Sequence, residues 1–386
     1  MIKFGNRHNL IHPLLLTLFI ALRRIDYIIM GKFYNFNGPF LLSVLIFLSK
    51  FIFGLSAYYY SNKEIQIQNR PKAKYFGLIL IQFKSEIKLH DKWYIISILI
   101  ILASYFDFAG TVVRQFYIKI SENNTIEQSV KSFQVFSSAI FCYLTLKINI
   151  YKHHLFSLII ISFCLILIFI VEMLCVENDI IIKLISFGLT CFSCVARTFL
   201  DTVEKYLFEY DFMNPFKVMM FEGLINTILT SSLFFILEKP LDDINELIEA
   251  IPKNYYLLII FLLLYLILSG LKNIYRVTTI KLYSPMARAL AESLLDPFIV
   301  IHHLFNNKSV FKTESKFWIY CGVIIFCSII MPFFSCVYNE FIILFCCELD
   351  YETHVEITKR SSKTYDSDII INIDDNNNEN DIELTE

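Results

Sequence analysis

The sequence predicts an all-α integral membrane bundle. Three observations carry that prediction: an excess of apolar residues, their arrival in blocks of bilayer length, and basic connections that alternate with poorer ones between the blocks. Hydrophobic residues make up 56% of the 386-residue chain, and mean hydropathy is +0.56. Soluble domains hold roughly 45–50% apolar residues, so the excess needs a second apolar environment besides a core. A hydrocarbon layer about 30 Å thick takes roughly 20 apolar residues per helix. The formal net charge of −2 argues against a nucleic-acid partner.

Apolar runs place spans at 9–30, 38–60, 94–113, 126–147, 155–175, 182–203, 216–237, 255–275, 284–305 and 317–345, about ten transmembrane helices in all. The first is the weakest, because it contains Arg23, Arg24 and Asp26, and a charge at mid-bilayer costs about 2.5–3.5 kcal/mol on insertion scales. No cleavable signal peptide is expected, since no small-residue cleavage site follows the first apolar run. The connection 61–92 carries Lys63, Arg70, Lys72, Lys74, Lys84, Lys88 and Lys92, and connections 147–154 and 272–281 add Lys147, Lys152, Lys272, Arg276 and Lys281. The positive-inside rule then predicts both termini in the cytosol. The sequons at Asn123 and Asn307 fall in the opposite set of loops.

Between the seventh and eighth spans, Leu241, Ile244, Leu247, Ile248 and Ile251 recur at helical spacing among Asp242, Asp243, Glu246 and Glu249, which predicts a short amphipathic helix at the interface. The segment 349–386 is polar and acidic and reads as a disordered cytosolic tail. Cys346 and Cys347 read as interfacial cysteines, with acylation as the alternative.

Ionisable side chains inside a bilayer must face a partner, water or the bundle interior, so they are functional candidates by default. Glu127, Lys131, Gln134 and Ser138 share one face of the fourth span, and Gln128 stands beside that stripe. Ser284, Arg288, Glu292 and Asp296 share a face of the ninth, and Ser104, Asp107 and Thr111 one of the third. The expected solute-binding residues are therefore Asp107, Gln128, Lys131, Gln134, Ser138, Arg288, Glu292 and Asp296. Pairing within one helix is the alternative for Arg288 and Glu292. Arg197, Asp201 and Glu204 also share a face, and snorkelling near a helix end is their simplest explanation.

Enzyme chemistry is not expected. The chain has no zinc-spaced histidine set, no G-x-S-x-G and no phosphate-cradling glycine loop, with only 10 glycines in all. Neither a metal nor another cofactor is expected. His153-His154 and His302-His303 are adjacent pairs whose spacing directs the rings to different helix faces. Most of the 10 cysteines lie in apolar runs, and Cys191-x-x-Cys194 reads as small apolar residues in a span.

Several segments resemble the drug/metabolite transporter superfamily, in particular its solute-carrier 35-like and chloroquine-resistance-transporter-like members. They are Gln128-Ser129-Val130-Lys131; Glu204-Lys205 with Pro215 and Phe221-Glu222-Gly223; Ser284-Pro285-Met286-Ala287-Arg288 with Glu292; and Tyr338-Asn339-Glu340. They occur in order across 38–345. The resemblance implies ten helices in two inverted five-helix repeats around a central cavity, worked by alternating access. The chain then divides into an N-terminal segment 1–37 with the weak first span, repeats 38–178 and 179–348, and the tail 349–386. The sequence departs from the pattern at Lys131, where arginine is usual, at Lys50, where an acid is usual, and at Leu295, near which a further arginine is common.

The expected function is transport of a small polar metabolite, with protons as a possible coupled species, across an intracellular membrane. A nucleotide-sugar-like anion and an amino-acid-like or cationic solute both remain open. The alternatives are a non-transporting receptor or scaffold of transporter-like fold, and a membrane-embedded transferase, for which the loops lack a His and Asp cluster.

Overall fold

The computed structural model describes residues 2–4, 11–34, 36, 38–67, 93–120, 133–146, 151–175, 180–209, 213–237, 239–295, 313–340 and 342–344. Among them are ten helices: α1 (Ile11–Tyr34), α2 (Pro39–Ile67), α3 (Trp93–Ile120), α4 (Phe133–Leu146), α5 (Lys152–Cys175), α6 (Ile180–Glu209), α7 (Pro215–Ile236), α8 (Lys239–Leu282), α9 (Pro285–Ser293) and α10 (Glu314–Tyr338). Six of them, α2, α3, α5, α7, α8 and α10, contain stretches long and apolar enough to cross a membrane, and α4 is a shorter apolar helix. The molecule is an all-helical, multi-pass membrane protein. α1 and α6 are as long but carry Arg23, Arg24 and Asp26 in one case and Arg197, Asp201, Glu204 and Lys205 in the other. Lys131, Gln128, Asp296, both sequons, Cys346, Cys347, the second histidine pair and the tail lie outside the described residues.

The helices start where the chain supplies acceptors for orphan amide groups. Asn214 caps α7, its side chain accepting from the Phe216 amide with Pro215 following, and Ser284 caps α9 in the same way through Ala287 ahead of Pro285. Thr313 caps α10 through Lys316. For α2 the acceptor comes from another helix: Asp243 Oδ2 accepts from the amides of Phe40 at 2.6 Å and Leu41 at 3.0 Å. A carboxylate there meets both the unpaired amides and the positive end of the helix dipole.

Asp243 corrects one expectation. The amphipathic stretch 241–251 is no separate interfacial helix but the first part of the 44-residue α8, and Asp243 is buried rather than on a solvated face. Residues 272–281 are no loop either. They complete α8, with Lys272 and Arg276 buried in the bundle, so they drop out of the positive-inside argument. The tenth span is also shorter than expected, ending at Tyr338. Past it, β2 (Ile342–Leu344) pairs antiparallel with β1 (Ile2–Phe4), a small two-stranded exception to the all-helical fold.

The outer surface is apolar. On α5, Leu155, Ile159, Phe163, Ile166, Ile170 and Leu174 are all exposed and lie one turn apart along a single stripe. In water such a patch would be an aggregation liability, whereas lipid tails solvate it. Polar groups point inward instead. Close helix contacts are made at glycine: a Cβ on Gly223 would stand 2.4 Å from the Phe51 amide nitrogen, and one on Gly54 2.8 Å from that of Met220. α2 and α7 therefore cross backbone to backbone, as small residues permit inside membranes.

Candidate functional site

The crossing of α2 and α7 sits beside Lys50 and Glu222, and from there a chain of charges runs through the bundle. Lys50 Nζ lies 2.6 Å from Glu222 Oε2 and 3.0 Å from Asp107 Oδ2. Asp107 also accepts from Asn226 Nδ2 at 3.1 Å. Arg276 grips Glu204 with both terminal nitrogens, at 2.9 and 2.5 Å, and donates to Asp201 at 2.8 Å. Its Nη2 also stands 3.8 Å from Glu222, which joins it to the Lys50 group.

From Asp201 the chain continues to Arg288, 2.8 Å away. Arg288 donates to Gln134 at 3.2 Å and pairs with Glu292 at 2.9 Å. Glu292 then meets Lys272 at 3.3 Å and Arg197 at 3.6 Å. The network draws on α2, α3, α4, α6, α7, α8 and α9. Five cations (Lys50, Arg197, Lys272, Arg276 and Arg288) face five carboxylates (Asp107, Asp201, Glu204, Glu222 and Glu292). Balance matters here, because each unpaired buried ion costs several kcal/mol.

Exposure is graded along this chain. The Arg276, Asp201, Glu204 and Glu222 side chains are no more than 5% exposed, while those of Arg197, Asp107 and Lys272 reach 20%, 13% and 11%. The inner members hold helices together. The outer ones are partly open to solvent, and Glu292 joins two of them, Arg197 and Lys272. Polar atoms on the network's helices α7, α8 and α9 keep hydrogen-bonding capacity in hand: Asn226 Oδ1, Thr230 Oγ1, Asn273 Nδ2, Ser269 Oγ and Arg288 Nε are buried and make no hydrogen bond. Such groups are rare in native proteins and call for water or a ligand.

Of the expected site residues, Asp107, Gln134, Arg288 and Glu292 converge in this network. Ser138 is buried on α4, but it is the neighbouring Ser137 that bonds across to α6, its hydroxyl 2.8 Å from Thr198 Oγ1. The snorkelling explanation for Arg197, Asp201 and Glu204 fails, because all three join the network and the two acids are fully buried. Lys50, Glu222, Asn226, Lys272 and Arg276 were not among the expected residues. One signal for them was available: Glu222, Asn226 and Thr230 step by four along α7.

The ends of α6 and α8 are locked together outside the network. Lys205 Nζ donates to the carbonyls of Lys281 at 3.2 Å and Tyr283 at 3.0 Å, while Lys281 Nζ donates to the Phe208 carbonyl. Each lysine satisfies the free carbonyls ending the other's helix.

No protein-family model and no curated protein matches the chain. A solved structure described only as "Crystal structure of protein" is similar over 83% of this chain and 94% of its own, at 10% identity and a TM-score of 0.47.

Proposed function

We propose that this protein carries a small polar solute across a membrane by alternating access, through a path bordered by Asp107, Arg197, Lys272 and Glu292. One observation carries the reading: a connected charge network with part-exposed members and spare hydrogen-bonding atoms lies inside a bundle whose exterior is apolar. Ionic residues within a bilayer are expensive, and solute pathways are where they recur. Arg197 and Lys272 suit a phosphate or carboxylate, and Asp107 and Glu292 suit an amine or a proton. A solute bearing both signs exchanges for the internal pairs with little net change in charge.

The same proposal takes the ten helices as two inverted five-helix repeats of the drug/metabolite transporter type. Relabelling each helix by five steps turns the α3–α6 contact into α8–α1, α3–α7 into α8–α2, and α4–α6 into α9–α1, all of which exist; α2–α7, α4–α9 and α5–α10 map onto themselves. Repeats of five helices, an odd number, run in opposite senses through the bilayer. The β1–β2 pairing brings the start of α1 and the end of α10 to one face, which an even number of crossings requires.

The test is uptake by the full-length protein in liposomes against a panel of phosphorylated, carboxylate, zwitterionic and cationic metabolites. Saturable uptake of one class, lost in Arg197→Gln and Lys272→Gln proteins that still fold, is the expected result. Saturable binding without uptake favours the receptor reading, for which the complete internal neutralisation of the network speaks. Neither binding nor uptake of any class overturns the proposal.

A further inference from the structure

We propose that His153, His154 and Glu340 form a binding site for a transition-metal dication, where the start of α5 meets the turn after α10. The three side chains each offer one ligand atom, and these atoms all lie within 4.8 Å of one another. His153 Nε2 stands 3.5 Å from Glu340 Oε1. That separation is at the limit of a hydrogen bond, but it matches the edge of a tetrahedron whose centre lies about 2.1 Å from nitrogen and oxygen ligands.

The His153 ring is the independent sign of a ligand. Its side chain is only 3% exposed, yet neither ring nitrogen makes a hydrogen bond. A buried imidazole normally spends at least one nitrogen on a protein partner. Its ring centroid is 4.0 Å from that of His154, which in turn stacks on Tyr338 at 4.4 Å and 25°. The expectation that adjacent histidines diverge therefore fails here: the first turn of α5 lets both rings gather against the end of α10. Glu340 is held in the left-handed region, at φ 57°, and is the only non-glycine so placed among the described residues.

Two imidazoles and one carboxylate suit zinc, cobalt, nickel or copper better than calcium or magnesium, which prefer oxygen ligands. Three protein ligands leave a fourth position for water. Binding has one local cost: His154 Nδ1 accepts from the Tyr151 amide at 3.2 Å. A ring that ligates through that nitrogen returns the amide to solvent at a helix start. The site is separate from the charge network and does not depend on the transport reading.

The experiment uses full-length protein, stripped with a chelator and titrated with Co²⁺ in detergent. One ion per chain, with the visible absorption of four-coordinate cobalt and displacement by Zn²⁺, is the expected result. His153→Gln and Glu340→Gln should each weaken uptake by at least about 100-fold, the upper end of what losing even a supporting partner costs. Wild-type protein that takes up no Co²⁺ overturns the proposal whether or not the variants fold. Uptake unchanged in both variants overturns it as well, because the ion then sits elsewhere.

Discussion

Arg276 and Arg197 are the same residue type in one network, and their surroundings assign them opposite jobs. Arg276 is clamped by Asp201 and Glu204 in the dry part of the bundle, whereas Arg197 meets Glu292 at 3.6 Å with a fifth of its side chain exposed. Arg276→Ala strands the buried Glu204 carboxylate and leaves Asp201 with Arg288 alone, so thermal unfolding should show a loss of about 3–5 kcal/mol. Arg197→Gln should leave the melt near wild type and cut uptake per folded molecule. Equal melts for the two variants would remove the distinction. Arg288, only 2% exposed along its side chain and in contact with Asp201, Glu292 and Gln134, belongs with Arg276 rather than with the part-exposed group. The sequence made Asp107, Gln134, Arg288 and Glu292 legible because polar residues at steps of three and four stand out in apolar runs. Lys272 and Arg276 were hidden by the opposite effect. Their charges made the end of α8 look like a connecting loop, and only the partners on α6 and α9 show why they tolerate burial.

At the level of helices, the spans were readable because lipid demands about 20 apolar residues from each, and the apolar runs at 38–60, 94–113 and 216–237 fall within α2, α3 and α7, with only the first residue of the first run and the last of the third outside. Their contacts were not readable, since nothing in an apolar run says which face meets which neighbour. Gly223 shows what was missing. Its role comes from the Phe51 backbone, which approaches where a side chain would begin. Gly223→Ala puts a methyl against main chain that cannot rotate away, so α2 and α7 must separate. The expected cost is about 1–3 kcal/mol, as for other overpacked interiors, read as a lowered melting temperature of purified protein. Gly188→Ala, with nothing within 4 Å of the added carbon, is the control and should not destabilise. A harmless Gly223→Ala would mean that the crossing is looser than its geometry.

For the whole molecule, tags at the two ends of the chain should be accessible from the same side of intact vesicles, because β1 and β2 are hydrogen-bonded neighbours. Protease that removes one tag and spares the other would break both the pairing and the proposed even number of crossings. The overall arrangement was legible only as a series of apolar spans, six of which are helices long and apolar enough to cross a membrane. What organises them is long-range: charge pairs between distant helices and a carboxylate on α8 that caps α2. That last contact has a mechanical meaning. At about 1.5 Å per residue, the 44 residues of α8 follow a path roughly 66 Å long, with Pro252 inside it, about twice the hydrocarbon thickness. Near one end it holds the first turn of α2 through Asp243; towards the other it presents Lys272 and Arg276. A tilt of α8 at Lys272 would be felt about 44 Å along the helix, at the first turn of α2, which Asp243 holds. Load and handle share one helix, the load at its polar start and the handle within the stretch Tyr255–Leu282 that is apolar enough to cross a membrane.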